Sequence, residues 1–217
     1  MKVNRKIPEE ISDADFSPKL NITEKNMIIT ADFISKGVED FHLPGYEIQH
    51  GYRLVKAKSH DHFRLITTDL EPETAYAVRL VHSNFIIPNR TNCTQVMIWR
   101  SLRPEHKGAV QGIAALFFNF FLNSYSIVVS DTEQTQQGRR FWEYRIIEAL
   151  TNPELHVYVS DGTQGDKDGL RPLYPVFTDE AFFDTWSDFC WGTDKNAHSL
   201  RQFVISKEKI DSSHLTQ

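Results

Sequence analysis

Between residues 52 and 102 the chain carries four short segments with strand-like patterning. They are YRLVKAK (52–58), FRLITTDL (63–70), TAYAVRLVHS (74–83) and TQVMIWRSL (94–102). Each alternates apolar with polar residues or is rich in β-branched and aromatic ones, and polar breaks (KSHDH, EPE, IPNRTN) separate them. Side chains of a strand point to alternate faces, so this pattern predicts an antiparallel meander of three or four strands. The period then changes. In residues 111–123, Ile113, Phe117, Phe120 and Phe121 recur at helical spacing, and Ala114 and Phe118 add a second apolar stripe. A helix apolar on more than one side is buried on more than one side.

Further on, SYSIVVSD (124–131) reads as a buried strand, and Ser130, Asp131, Thr132 and Glu133 have the form of a capping box that opens a helix. Trp142, Ile146, Ala149 and Leu150 share one face of that helix. LHVYVSDG (155–162) reads as a strand, 178–189 as a helix and RQFVIS (201–206) as a last strand. A strand–helix–strand–helix–strand run joined to a meander predicts an α/β (α+β) fold. Its sheet is expected to be mixed, mainly antiparallel, with about six to seven strands and helices on its faces. The expected organisation is a polar arm (1–22), a single domain (23–210) and a mobile tail (211–217).

Composition narrows the function classes. The 217 residues are 40% hydrophobic and 24% charged, as in a folded globular chain, and the formal charge is −5. An acidic balance argues against sequence-independent binding to nucleic acid, which needs a basic face. The first residues are charged and lack the apolar core of a secretory signal, and no apolar run reaches the length of a membrane span. The two cysteines, Cys93 and Cys190, lie far apart, which suggests a reducing, cytoplasmic setting without a disulfide framework. Without export, the sequons at Asn21, Asn89 and Asn92 carry no weight.

The stretch RPEHKGAVQGIAALFFNFF (103–121) admits two explanations. Glycines let a backbone approach phosphate, and the free N–H groups of a helix start hold an anion. Small residues at the start of a buried helix also serve close packing. A strand ending in WRSLRPEHKG, followed by VQGIA, an apolar helix, a strand and a helix carrying G-x-x-F-W-E, resembles the Gcn5-related N-acetyltransferase fold over residues 52–160. In that family a V-x-P-E-x-R-G turn precedes a Q/R-x-x-G-x-G/A loop that binds the pyrophosphate of acetyl-coenzyme A. Leu102, Arg103, Pro104, Glu105, His106, Lys107 and Gly108 resemble the turn, and Gly112 and Ala114 match the last two loop positions, with Gln111 before Gly112 and Ile113 after it. The first loop position falls on Ala109, where the family has Arg or Gln. Alternatively, Lys107 and Gly108 are the usual basic–glycine pair, with two residues inserted after them. The resemblance thus assigns cofactor binding to Leu102, Lys107, Gly108, Ala109, Val110, Gln111, Gly112, Ile113 and Ala114.

On the next helix the family often has a tyrosine that acts as acid toward the leaving thiolate. Trp142 stands there, and an indole N–H cannot usefully supply a proton as an acid. Tyr144 lies two residues on, about the opposite side of the helix. It is the candidate acid if the helix is set differently, against the blander role of a partly buried aromatic. The family's strand glutamate, a general base, has no counterpart in QVMIWRSL. Glu71 and Glu73 lie in a turn, where a carboxylate near the site is set against one that is simply solvated. Glu73 is the candidate base, with a base acting through water leaving no residue signature. Arg139 and Arg140 open the helix, and Arg139 is the candidate partner of the nucleotide's 3′-phosphate.

Other clusters read less specifically. His60, Asp61 and His62 lack a visible third ligand nearby, so a polar turn is favoured over a metal site. His106 and Lys107 are candidates to touch phosphate or simply to face solvent. Asp161, Asp166, Asp168, Asp179, Glu180, Asp184 and Asp188 concentrate acid in the last third, as a solubilising surface or an attraction for a cationic amine. Trp186, Cys190 and Trp191 read as core or interface. The resemblance implies acetyl transfer from acetyl-coenzyme A to a primary amine, with a backbone N–H near Leu102 polarising the thioester carbonyl. The alternative is a non-catalytic binding or regulatory protein of the same fold with a degraded cofactor site. The resemblance takes in phage-encoded proteins of this fold, some of which modify DNA bases. The expected partner is a small-molecule or protein amine, with nucleic acid and membrane not expected and a homodimer left open.

Overall fold

The computed structural model describes residues 9–11, 19–82, 86–87, 93–129, 133–165, 171–192 and 200–210. In chain order its first elements are β1 (Glu9–Ile11), α1 (Thr23–Ser35), β2 (Val38–Asp40), β3 (Tyr52–Ala57), β4 (His62–Thr67), β5 (Thr74–His82) and β6 (Cys93–Arg100). A 3₁₀ turn (Pro104–His106), α2 (Lys107–Val110), α3 (Ile113–Leu122), β7 (Ser126–Val128), β8 (Glu133–Thr135) and α4 (Gln136–Thr151) follow. The last are β9 (His156–Asp161), a 3₁₀ turn (Gly162–Gln164), β10 (Leu173–Val176), α5 (Asp179–Ala181), a π-helical turn (Phe182–Trp186), α6 (Ser187–Trp191) and β11 (Arg201–Ser206). The fold is therefore α+β. Among the described residues no helix is long and apolar enough to cross a membrane.

The chain divides into two compact units. The meander unit takes Ala14–Val81 and Val96–Phe121; the crossover unit takes Met1–Asp13, His82–Gln95 and Leu122–Gln217. In the meander unit β2, β3, β4 and β5 pair antiparallel in sequence order. The β4–β5 ladder shifts register between Leu65 and Ile66.

Residues 63 to 67 of β4 are all buried, because a helix covers each face of this sheet. On one face Phe33 of α1 packs with Val55, Ala57 and Ile66. On the other, Phe117 and Phe121 of α3 meet Phe63 at ring separations of 5.5 and 5.4 Å. Tyr76 lies parallel to Phe117 at 5.7 Å. These aromatic contacts answer the apolar breadth of α3: Ile113, Phe117, Phe118 and Phe121 are all buried. Burying one such ring contributes about 2 to 3 kcal/mol.

In the crossover unit the first residues of β6 pair parallel with β7, Cys93 opposite Ser126 and Gln95 opposite Val128. β11 lies antiparallel between β7 and β9, and β10 pairs antiparallel with β9. Val128, Tyr158, Leu173 and Val204 build its core with Ile86, Ile87 and Ile210. The expected mixture of parallel and antiparallel pairs is present.

Several boundaries differ from expectation. The capping box does not open α4: the helix begins at Gln136, Glu133 belongs to β8, and Ser130, Asp131 and Thr132 lie outside the described residues. β8 pairs parallel with β1, which lies inside the expected arm. α1, β2 and β10 were not expected. The inward face of α1 carries Asn26, Thr30 and Phe33, two polar residues in three, so it shows no apolar stripe. β10 contains Pro175 and pairs with β9 alone, the edge position a proline tolerates. The expected tail, 211–217, lies outside the described residues.

Candidate functional site

After β6 the chain turns through Pro104–His106, makes the single turn of α2, and breaks. The break has two causes. Gln111 is extended (φ −66°, ψ 125°) and Gly112 sits at φ +75°, a left-handed conformation that favours glycine. In addition, Tyr46 donates its hydroxyl to the Ala109 carbonyl at 2.7 Å. That carbonyl is the acceptor Ile113 N–H would use if the helix ran through. Burial pushes the Tyr46 phenol up to about 12, with Tyr52 adding to the shift, so it stays a donor at neutral pH.

The helix then restarts as α3. Ala115 and Leu116 donate their N–H groups to the Gly112 carbonyl at 3.1 and 3.3 Å. Among the described residues, the N–H groups of Gly112, Ile113 and Ala114 have no protein acceptor. The two glycines differ in purpose. A Cβ on Gly108 would stand 3.3 Å from the Gln49 amide, so this glycine serves close packing. A Cβ on Gly112 would meet nothing within 4 Å, so this glycine serves backbone conformation and faces open space. Lys107, Gln111 and Gly112 are exposed, Ala114 is half-buried, and Ala109, Val110 and Ile113 are buried.

One more free amide lies upstream. Ser101 N–H donates to the Ala75 carbonyl at 2.8 Å, and Arg103 N–H to Ser101 Oγ at 3.2 Å. Between them the Leu102 N–H has no protein acceptor among the described residues, and Leu102 is exposed.

Beside this turn stands a polar cluster. His106, expected at a phosphate or in solvent, is buried at 3% exposure. Its Nδ1 lies 2.9 Å from the Tyr52 hydroxyl, and its Nε2 lies 3.7 Å from the Glu73 carboxylate without a hydrogen-bond partner. Burial lowers the His106 pKa, Arg103 lowers it further, and Glu73 and Glu105 oppose the shift. Arg103 bonds to the Glu73 carboxylate and, through Nε, to Glu105 at 2.6 Å. The candidate base Glu73 is therefore held by a cation rather than solvated. Burial raises the Tyr52 phenol, and Glu105 and Asp69 raise it further.

The other candidates lie apart from this loop in the chain division. Tyr144 and Arg139 are on α4, in the crossover unit, whereas Glu73 and residues 102–114 are in the meander unit. Tyr144 is 72% exposed, whereas Trp142 is buried. Arg139 pairs with Glu143 at 3.1 Å and lies 5.7 Å from the Trp191 ring centre. Asp161 departs from the expected acidic surface. It is fully buried, accepts from the Thr163 N–H and hydroxyl at 2.9 and 2.6 Å, and faces Arg201 at 3.6 Å. Asp179, Glu180, Asp184 and Asp188 are exposed; Asp166 and Asp168 lie outside the described residues. Cys190 is buried, and the Trp191 ring packs against Phe182 and Phe203.

His60 and His62 face each other at 5.7 Å, but among the described residues no cluster of three or more metal-ligating side chains forms. The His62 ring meets Phe33 at 4.9 Å instead. Its pKa falls to about 3, first through burial and then through Arg64.

Tyr46, Tyr52 and Arg103 were not anticipated as functional. The only local signal was the position of Tyr46 after Pro44-Gly45, where a turn brings the ring back toward the helix. No protein-family model matches the chain, and neither a curated protein nor a solved structure matches it significantly.

Proposed function

We propose that the chain binds acetyl-coenzyme A through the loop ahead of α3 and transfers the acetyl group to a primary amine. The observation that carries this reading is the set of unpaired amides on the loop: Leu102, Gly112, Ile113 and Ala114. In a folded chain most backbone N–H groups have partners, and donors at a helix start favour an anion. Apart from the short β8 between β7 and α4, the succession β6, loop, α3, β7, α4 and β9 follows the order on which the resemblance rests.

On this reading the N–H groups of Gly112, Ile113 and Ala114 receive pyrophosphate, with exposed Lys107 as a nearby point charge and Gln111 beside it. Gly108, Ala109 and Val110 bring the chain to the break, and Tyr46 keeps it broken. The Leu102 N–H receives the thioester oxygen, where a fixed donor stabilises developing negative charge. The amine attacks the thioester carbonyl, the C–S bond breaks, and the thiolate leaves with a proton. Tyr144 and Arg139 belong to the crossover unit and carry no part of this reading.

Isothermal titration of acetyl-coenzyme A into the full chain tests the reading, with Gly112→Trp as control. Micromolar binding, about −8 kcal/mol, that is lost in Gly112→Trp is expected. No heat from the wild type at millimolar cofactor would sink the reading, and the fold would then serve as a binding module.

A further inference from the structure

We infer that Tyr52 and His106 form a proton-accepting pair, with the Tyr52 hydroxyl as its entry point and Glu73 as the residue that orients it. The inference rests on the acetyl-transfer reading and names the group that takes the amine's proton. Three stretches of the meander unit supply it: the start of β3 (Tyr52), the β4–β5 turn (Glu73) and the 3₁₀ turn before α2 (His106).

The Glu73 charge selects the tautomer. A neutral imidazole has one N–H. With that proton on Nδ1, a bare Nε2 lone pair would face the Glu73 carboxylate at 3.7 Å. With it on Nε2, the N–H points at the carboxylate and Nδ1 accepts the Tyr52 O–H at 2.9 Å. The second arrangement sets a positive N–H dipole against the carboxylate and keeps the Tyr52 hydrogen bond. Protonated His106 is accommodated as well. Nδ1–H then donates to the Tyr52 oxygen, and the Tyr52 O–H turns to the Glu105 carbonyl at 3.3 Å. Nδ1 and the Tyr52 hydroxyl keep a hydrogen-bond partner before and after, and in both states Nε2 faces the Glu73 carboxylate at 3.7 Å as an electrostatic contact.

The transfer balances. A substrate ammonium gives a proton to the Tyr52 oxygen as Tyr52 passes its own proton to Nδ1. The products are a free amine and an imidazolium whose Nε2–H faces Glu73. Arg103 sits on the same carboxylate and opposes the positive ring, while Glu105 favours it. Burial keeps the resting ring neutral, as a base must be. The Tyr52 side is the open one, because His106 itself is enclosed.

The test uses the full chain with ¹⁵N-labelled histidine. The expected spectrum shows His106 in the Nε2–H form near neutral pH, with Tyr52→Phe changing the Nδ1 shift and Glu73→Gln moving the His106 titration to lower pH. An Nδ1–H form, or a titration indifferent to both substitutions, overturns the pair. Calorimetry with acetyl-coenzyme A separates the two ideas. A wild type that does not bind the cofactor overturns the transfer reading, and the pair's catalytic use with it, whatever the spectra show.

Where the cofactor binds, a primary-amine panel supplies the kinetic readout. Tyr52→Phe should lower kcat about 100-fold with KM for acetyl-coenzyme A unchanged, and Glu73→Gln should move the acid limb of the rate profile to lower pH. An unchanged kcat in Tyr52→Phe, or no turnover with any amine by a wild type that binds the cofactor, overturns the catalytic role.

Discussion

Glu73 and Thr74 are adjacent in the chain and belong to opposite kinds of polar network. Thr74 is fully buried, and its backbone is bonded at both ends by one side chain: Asn26 receives its N–H at 2.7 Å and donates to its carbonyl at 2.9 Å. Thr30 bonds to both Asn26 and the Thr74 hydroxyl, and Arg64 reaches that hydroxyl at 3.3 Å. The Asn26 amide thus behaves like an extra strand residue and ties α1 to the sheet. Glu73 faces the other network, where two carboxylates, a guanidinium, a phenol and an imidazole meet and one imidazole nitrogen lacks a hydrogen bond. Closed networks specify a structure, whereas titratable ones with spare capacity are where chemistry is sought.

The largest effect is expected on the closed side. Asn26→Ala leaves the buried Thr74 N–H and carbonyl without partners and should cost about 3 kcal/mol. Urea denaturation would show it as a lower midpoint at constant slope. A loss under about 1 kcal/mol would mean the knot is not structural. On the open side, Gly112→Ala should cost about 1 to 2 kcal/mol, the penalty of a left-handed Cβ. Because the space there is empty, packing adds nothing, and Gly112→Asn should recover part of the loss; an equal cost for both would contradict a conformational origin.

A pH dependence is expected from His62, which touches the closed network through Arg64 at 3.3 Å. Its folded pKa of about 3 lies below the ordinary value of about 6.5. The unfolded chain therefore takes up the proton first on acidification. The contribution is full above about pH 6.5 and is lost progressively as pH falls toward 3. In His62→Gln that part of the stability–pH curve should flatten; an unchanged curve would assign the dependence elsewhere. The smallest effect should come from Tyr52→Phe, with stability within about 0.5 kcal/mol of wild type. A larger loss would move Tyr52 from the open network to the closed one.

What was legible in the sequence follows the same division. β3, β5 and the helix of phenylalanines announced themselves because apolar burial leaves a period. α1 did not, because it docks through Asn26 and Thr30, and hydrogen bonding leaves none. Glycine spacing flagged the loop, and Gly112 proved to need its left-handed backbone, whereas Gly108 answers to Gln49. The burial of His106 and its bond to Tyr52 were hidden, since they join residues 54 positions apart. Asp161 was hidden in the same way: its place in an acid-rich stretch suggested solvent, yet Thr163 and Arg201 hold it inside.

The division of the chain into units also fixes an order of manufacture. The meander unit's two segments are both made once Phe121 has left the ribosome, just past the midpoint of the chain. The crossover unit is threaded from three segments, and its last runs to Gln217. One unit can therefore reach its native contacts early in synthesis, whereas the other waits for β11 and Ile210. Until β7 and β11 are made, the apolar residues Ile86 and Ile87 lack part of their eventual core, and that interval is when a nascent chain is most exposed to aggregation and to chaperones.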